Sequence, residues 1–294
     1  MTTVVPFVHV VMPTTHRRRW CLPRAIRAWL RQDYPADRWH LTIVDGGNGT
    51  APELSVRDLI PDDPRVSYLF APPMTLGEKF NHGLERAPEG ALCMIAGDDD
   101  WIHPNGITFL AQHIVDHNVE ITGSLSMLAY RKRDARVYLY AHPYPIEPVG
   151  EEEGDAYRLT GPYLIGGAMM FSRAMWARKP FPDMQSGSDS VFIRELLEIA
   201  DKPILYVPLN DPDLYVAFVH EDNTGNSLDR INAAGHEGSP DSNWSRLDHI
   251  GGRDPLHHLR HLMGAAADEY GIPLPAESIG LMIAALLGAR KARR

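Results

Sequence analysis

The sequence predicts a mixed α/β fold in which a mostly parallel sheet is flanked by helices. Short runs rich in Val, Ile and Leu, typical of buried strands, alternate with segments of helical periodicity. Strands that alternate with helices form parallel sheets covered on both faces. The 294 residues, 44% hydrophobic and 23% charged, suffice for one large or two small globular domains and exclude disorder, collagen-like repeats and coiled coils.

The alternation is clearest in the first 118 residues. We predict strands at 4–12, 39–44, 65–70 and 91–96, and helices at 17–32, 78–86 and 104–117. Pro13 is expected to end the first strand, since proline lacks the N–H that a strand ladder needs. The turn cluster Asp45-Gly46-Gly47-Asn48 ends the second.

The second half of the chain has a different pattern. We predict strands at 119–130 and 136–140 paired as a hairpin, a mobile loop at 142–155, a loop and strand at 161–171, a helix at 189–200 and a strand at 203–207. Two helices, at 256–270 and 276–290, complete the chain as a C-terminal helical extension.

Charge and cysteine content narrow the function classes. The formal net charge of −9 argues against a surface that attracts nucleic acid throughout. Cys21 and Cys93 cannot form a disulfide framework, which favours a reducing compartment. We find no secretory signal and no apolar run of membrane-spanning length, and expect a cytoplasmic protein.

The end of the chain is apolar and then basic. The run 279–287 precedes Arg290, Lys291, Arg293 and Arg294, which predicts an amphipathic helix. Its apolar face is expected to pack against the protein or to form a homodimer contact. Peripheral binding to a membrane surface is the less favoured alternative.

Three adjacent carboxylates, Asp98, Asp99 and Asp100, follow the predicted strand 91–96. They repel one another unless a positive charge lies among them. Mg²⁺ or Mn²⁺ would supply that charge, because these ions prefer hard oxygen ligands and share them with phosphate groups. The alternative is a solvated acidic turn that caps the helix beginning near Pro104.

Polar residues follow the first and second strands as well, so three strands end at the same edge of the sheet. Ligands of open α/β sheets bind at the carboxyl ends of the strands. Lys79 lies in the first turn of a predicted helix, where an ammonium and free backbone N–H groups suit a phosphate. An exposed lysine without a ligand is the alternative.

These segments together resemble glycosyltransferase family 2, which has the GT-A fold. The resemblance is carried by Met12-Pro13-Thr14, Val44-Asp45-Gly46-Gly47, Gly77-Glu78-Lys79-Phe80-Asn81, Gly97-Asp98-Asp99-Asp100-Trp101 and Pro104, in that order. Farther along, it includes Gly167 to Trp176, Pro182-Asp183, Ser188-Asp189 and Tyr215 to Thr224. It covers residues 4 to 226, whereas the last 70 residues match no family.

The resemblance implies a metal-dependent inverting transfer of a sugar from a nucleotide donor, a UDP-sugar, to a hydroxyl acceptor. It implies donor contacts from Pro13, Thr14, Asp45, Lys79, Asn81, Asp98 and Asp99, a Mn²⁺ or Mg²⁺ ion held by Asp98, Asp99, Asp100 and His220, and Asp189 as the catalytic base. It divides the chain into a GT-A domain at 1–240, with a nucleotide-sugar half (1–118) and an acceptor half (119–240), and a helical extension at 241–294.

The sequence departs from the family pattern at two positions. Gly97 stands where many members have the first aspartate of the acidic motif, and Ser188 stands where a glutamate commonly precedes the base. For Asp189 the alternative to a base is a helix N-cap, and for His220 it is a buried, hydrogen-bonded histidine.

Other constellations give weaker signals. His257, His258 and His261 fall within about one helical turn, where an exposed face is favoured over a metal site. The basic cluster Arg131, Lys132, Arg133 and Arg136 is expected at a solvated hairpin tip.

The acceptor stays open among a glycan, a protein and a modified nucleobase, with DNA disfavoured by the net charge. The alternatives to the transferase are a nucleotidyltransferase that acts on a sugar phosphate and a catalytically silent nucleotide-sugar-binding module.

Overall fold

The regular elements follow the predicted alternation of strands and helices. A computed structural model describes residues 5–47, 54–71, 73–141, 146–148, 157–159, 164–199, 205–206, 212–223 and 244–274. The strands are β1 (Val8–Thr14), β2 (Trp39–Asp45), β3 (Val66–Phe70), β4 (Leu92–Ile95), β5 (Trp101–Ile102), β6 (Ile121–Gly123), β7 (Ser126–Arg131), β8 (Arg136–Ala141), β9 (Ile146–Pro148), β10 (Tyr157–Leu159), β11 (Met169–Ser172), β12 (Leu205–Tyr206), β13 (Tyr215–Val219) and β14 (Trp244–Arg246). The helices are α1 (Leu22–Leu30), α2 (Leu76–Leu84), α3 (Gly106–His117), α4 (Arg173–Arg178), α5 (Ser188–Ile199), α6 (Pro255–Met263) and α7 (Ala266–Glu269).

The first sheet has six strands in the order β3-β2-β1-β4-β11-β6. Strands β3, β2, β1 and β4 are parallel, and β11 runs antiparallel to both β4 and β6. Every residue of β1 is buried, with Val10 in a cluster that includes α1 and α3, and Val11 in a cluster that includes α2 and α5. Helices therefore cover both faces of a mostly parallel sheet, as the sequence predicts.

The first strand does not end at Pro13, as predicted, but continues through Thr14. Strand β4 pairs with β1 only as far as Val11, so beyond that point β1 has a partner on one side alone. Proline is tolerated where a neighbouring strand does not need its N–H. The continuation places Thr14 level with Asp45 of β2 at the sheet edge.

A second sheet has the order β14-β8-β7-β13-β5, and a third the order β12-β10-β9. The predicted hairpin is confirmed as β7 and β8. The single predicted strand 119–130 is wrong, because it divides into β6 and β7, which belong to different sheets. Ser124 causes the break: its backbone N–H and C=O pair with Ala168 and Ile165, and its hydroxyl bonds the carbonyl of Ser126.

The predicted helix 17–32 is a short 3₁₀ turn, His16–Arg18, followed by α1. The predicted helix 256–270 is likewise two helices, because Gly264 between α6 and α7 has a φ of 54°. Both pack against the second sheet through Leu259, Met263 and Tyr270.

Several predictions fall largely outside the described residues. These are the loop 142–155, apart from β9, and the helix 276–290 with its basic tail and the dimer contact expected of it. No helix in the described part of the chain has the length and apolar character needed to cross a membrane. The domain boundary at residue 240 stays a prediction.

Candidate active site

The carboxyl ends of β1, β2 and β4 meet at one edge of the first sheet, as the sequence predicts. Residues 96–100 then carry the chain from β4 to β5, which belongs to the second sheet. The acidic triplet therefore lies where the two sheets meet. A cavity of ≈ 320 Å³ opens beside it. Its lining includes Pro13, Thr14, Lys79, Asp98, Asp99, Asp100 and Asp189.

The three carboxylates of the triplet have different partners. Asp98 accepts a hydrogen bond of 2.7 Å from the hydroxyl of Thr14. Asp100 turns toward β13, where Tyr215 Oη and the backbone N–H of Phe218 donate to its two oxygens. Asp98 and Asp100 are thus fixed by different strands, β1 and β13.

The positive charge nearest Asp99 comes from Arg18, which the sequence interpretation did not select. Arg18 Nη1 donates to Asp99 Oδ2 at 2.9 Å, and Arg18 Nε lies 3.7 Å from Asp98 Oδ1. The arginine is only 7% exposed. Three consecutive arginines before three consecutive aspartates were the available signal, since opposite charges at two strand ends of one sheet edge attract.

His220 also binds Asp99, at 2.9 Å through Nε2. Its other ring nitrogen, Nδ1, accepts the backbone N–H of Asp222 and is therefore unprotonated in the neutral ring. Nε2 then carries the proton, which lies toward Asp99, and Arg18 Nη1 lies 2.9 Å from the same nitrogen. Asn223 donates to the same oxygen at 3.2 Å, so three donors converge on Asp99 Oδ2. In this arrangement His220 is a buried, hydrogen-bonded histidine, which is the alternative given above, and its role as a metal ligand stays a prediction.

Burial is the main cause of the shift in the pKa of Asp98. It raises the pKa of that carboxyl, and the negative charge of Asp99 raises it further, while Arg18 and the Thr14 hydroxyl oppose the increase. A cation or phosphate-bound ion that reached Asp98 and Asp99 would relieve both costs.

The side chains at this sheet edge can be compared with what the predicted divalent cation requires of its ligands. In the part of the chain that the structure describes, no three His, Cys, Asp or Glu side chains converge as a metal centre. Mg²⁺ needs only one or two carboxylates when phosphate oxygens complete its shell. Asp98 and Asp99 fit such a shared ion, because the three described residues that donate to Asp99 all reach Oδ2 and not Oδ1. Each oxygen of Asp100 accepts a hydrogen bond from β13, and its role as a ligand stays a prediction.

The position of Asp100 explains why glycine, and not the aspartate of the family motif, stands at position 97. A Cβ on this residue would lie 2.4 Å from Asp100 Oδ2 and 3.2 Å from Asp99 Oδ1. The inward turn of Asp100 toward β13 therefore leaves no room for an aspartate at position 97.

Lys79 lies on α2, facing the triplet across the cavity. The helix begins with a capping box in which Thr75 and Glu78 each bond the other's backbone N–H. The ammonium donates to the carbonyl of Thr14 at 3.2 Å. Burial lowers the pKa of Lys79, whereas Asp98 and Asp45 raise it.

Asp189 lies in the first turn of α5, which begins at Ser188, and lines the wall of the cavity that also includes Gly166. A Cβ on Gly166 would lie 2.6 Å from Asp189 Oδ2, so the carboxylate packs directly against that backbone. Asp189 Oδ1 accepts the N–H of Ser190, the next residue, whereas an N-cap side chain accepts from the second or third residue after it. Asp189 thus lines the cavity from within the helix, and its role as the base stays a prediction.

Asp45 lies at the predicted edge, but its side chain is fully buried. Its oxygens accept from the backbone N–H groups of Gly47 and Val56 and from the hydroxyl of Tyr68. It thus fixes the polypeptide that follows β2. A contact between Asp45 and a nucleotide base stays a prediction.

Asn81 does not line the cavity beside the triplet, and a contact between Asn81 and the donor stays a prediction. Its amide donates to the carbonyl of Phe181 and accepts from the N–H groups of Phe181 and Trp176. The residue joins α2 to the segment that follows α4.

The weaker constellations lie away from the cavity. His258 bonds Asp213 at 2.8 Å. Arg131 and Arg136 pair with Asp134, and Lys132 lies 4.6 Å above the ring of Trp20. The basic cluster is therefore largely paired within the protein.

Comparisons with known proteins agree with this geometry. The model of the family described as "Glycosyl transferase family 2" matches residues 9–178. No curated protein matches the chain.

Solved structures show the same fold. TarS 1–349 of S. aureus, solved with UDP-GlcNAc, is 17% identical with a TM-score of 0.56; the similarity covers 75% of this chain and 61% of that one. The mannosyltransferase PcManGT of Pyrobaculum calidifontis, solved with GDP-Man and Mn²⁺, is 16% identical with a TM-score of 0.54, over 97% and 81% of the two chains. This chain therefore spans about three fifths of the TarS fragment.

At these identities the likeness establishes the fold, which is GT-A as predicted. The family model covers more than half of the chain, and its range includes β1, β2, α2 and the acidic triplet. The chain belongs to glycosyltransferase family 2.

Proposed function

We propose that the protein is a metal-dependent, inverting glycosyltransferase that moves a sugar from a nucleoside diphosphate to an acceptor hydroxyl. One observation carries this proposal. A single cavity is lined by two carboxylates suited to a phosphate-bound cation, by the ammonium of Lys79, and by the separate carboxylate of Asp189. The cavity thus combines groups that stabilise an anionic leaving group with a carboxylate that accepts a proton.

Different residues of this cavity have different roles in the proposed reaction. Lys79 attracts the diphosphate, and Asp98 and Asp99 would hold a divalent ion that supplies Lewis-acid assistance to the departing diphosphate. Thr14 orients Asp98 through its hydroxyl.

Asp189 takes the proton from the acceptor hydroxyl as that oxygen bonds to the anomeric carbon. The bond from that carbon to the diphosphate breaks on the opposite face, and its electron pair leaves with the diphosphate. The configuration at the anomeric carbon therefore inverts.

The donor is a UDP-sugar in this proposal. Similarity to a TarS fragment solved with UDP-GlcNAc supports uridine, whereas PcManGT was solved with GDP-Man, so GDP is the comparison to test. Both cysteines are buried and unpaired, which supports a cytoplasmic reaction.

Thermal unfolding with UDP, GDP and CDP, each with and without Mn²⁺, tests the donor class. The correct nucleotide with Mn²⁺ should stabilise the fold by about 2.7 kcal/mol at 100 times its Kd. The matching nucleotide-sugar should then release its sugar slowly to water, with inverted anomeric configuration by NMR. Binding without any release would favour the silent binding module, and stabilisation by none of the nucleotides would contradict the proposal.

A further inference from the structure

A second, larger cavity of ≈ 760 Å³ adjoins the first. It extends over the segment after β2, with Gly46 and Gly47 in its lining, and toward Thr75 and Glu78 at the start of α2. Asp189 and the acidic triplet line the first cavity and not the second. If the nucleoside lies in the second cavity and the sugar in the first, the diphosphate crosses the wall between them.

The residues shared by both cavities are the wall that a diphosphate would cross. Among the described residues they are Thr15, Arg18, Lys79, Gln185 and Asn223. The two charged members, Arg18 and Lys79, are both cations, and both are only 7% exposed. The acidic triplet and Asp189 lie on the first-cavity side of this wall, and Glu78, Glu221 and Asp222 line the second cavity, so the two cations lie between two acidic groups.

From this arrangement, which rests on the function proposed above, we infer that Arg18 and Lys79 form a metal-independent clamp for the donor diphosphate. Arg18 is the new element of this clamp. A guanidinium suits phosphate as well as carboxylate, because its planar fork matches both. The arriving phosphate oxygens would compete with Asp99 for the same guanidinium.

The exchange would also prepare the acidic pair. While Arg18 bonds Asp99 Oδ2 and lies 3.7 Å from Asp98 Oδ1, it offsets the repulsion between two buried carboxylates. When the guanidinium turns to phosphate, Asp98 and Asp99 lose that partner and gain affinity for a cation bound to the same diphosphate. Nucleotide and metal should therefore strengthen each other's binding.

The test compares the binding of UDP and uridine by calorimetry in EDTA. The wild-type protein should bind UDP at least about tenfold more tightly than uridine, because a hydrogen bond between charged groups contributes at this scale. Arg18→Gln should remove most of that preference, and Arg18→Lys should keep part of it. Arg19→Gln is the matched control, since Arg19 is adjacent in sequence, pairs with Asp58 and lines neither cavity.

Two results would overturn the inference: equal binding of UDP and uridine by the wild-type protein in EDTA, or an unchanged preference in Arg18→Gln. The first needs no variant, so it stands even if Arg18→Gln fails to fold. Failure of UDP, GDP and CDP to bind even with Mn²⁺ would instead refute the proposed function, which separates the two claims.

Discussion

Asp189 combines a cavity position with a place in the first turn of α5. We predict that Asp189→Asn lowers kcat by about 10²–10⁴-fold, because the amide cannot accept the acceptor's proton. Donor affinity should stay near the wild-type value. Glu195→Gln, on the same helix but paired with Lys179, is the control and should leave kcat unchanged. Steady-state kinetics measure kcat, and a titration with UDP measures the affinity for the nucleotide. Full activity in Asp189→Asn would remove the base assignment.

Asp98 gives a prediction about pH. Its pKa is raised in the folded protein, so the stability contributed by its protonated form is present at low pH and is lost as pH rises through that pKa. The asparagine amide does not titrate, so this loss of stability is absent in Asp98→Asn. The free energy of unfolding of the variant relative to the wild type should therefore increase as pH increases from 5 to 8 in EDTA. The gain is limited to about 1.4 kcal/mol per pH unit. Urea unfolding at both pH values measures it, and a difference that does not change with pH would contradict the shift.

The site residues differ in how well their positions and roles could be predicted from the sequence. Asp98, Asp99 and Lys79 carry charges whose local pattern indicates a phosphate-bound ion. The location of Arg18 depends on how the 3₁₀ turn His16–Arg18 aims one of three neighbouring arginines, and local sequence does not encode that direction. The donor role of His220 likewise depends on the backbone N–H of Asp222.

At the scale of elements, α2 is joined to the segment 181–184 by three contacts. Asn81 bonds Phe181, Thr75 bonds Asp183, and the N–H of Gly77 bonds Met184. This segment leads into α5, so the contacts set the position of Lys79 relative to Asp189.

We predict that Asn81→Ala destabilises the fold by about 1–3 kcal/mol, because it leaves partly buried groups unpaired. His82→Ala, at the next position of α2, should stay within about 0.5 kcal/mol of the wild type. Urea unfolding measures both. If Asn81→Ala instead weakened donor binding at full stability, the residue would be the donor contact that the sequence suggested.

Elements of the first sheet were predictable because hydrophobic periodicity is strong in buried parallel strands. The strands β5 and β13 were not predicted as strands, and they are what bring Tyr215 and the Phe218 N–H to Asp100. β5 has only two residues, too few to show a period. The division of 119–130 between two sheets depends on contacts with Ile165 and Ala168, distant in sequence.

Across the whole molecule, the C-terminal extension reaches the candidate site. Glu269 pairs with Arg27 and Arg31 of the segment around α1, and Tyr270 Oη donates to the backbone carbonyl of Asp100 at 3.0 Å. The extension is thus connected to the acidic triplet, although its sequence matches no family pattern.

We predict that Tyr270→Phe costs about 0.5–1.5 kcal/mol of stability and weakens UDP–Mn²⁺ binding severalfold, since one support of the triplet is lost. Tyr34→Phe is the matched control, because Tyr34 also donates to a backbone carbonyl, that of Pro6, away from the site. It should cost similar stability and leave binding unchanged. Equal effects of the two variants on binding would show that the extension does not influence the site.

The central claim is that the diphosphate lies between Lys79 and the Asp98–Asp99 pair, where the two cavities meet, with Asp189 on the sugar side. A crystal structure with UDP and Mn²⁺, with the ion located by anomalous scattering, tests it most directly. We predict the manganese peak beside Asp98 and Asp99, with the diphosphate next to it and the uracil toward Gly46 and Gly47. A nucleotide bound elsewhere, or an ordered diphosphate that contacts neither Lys79 nor the acidic pair, would contradict the account.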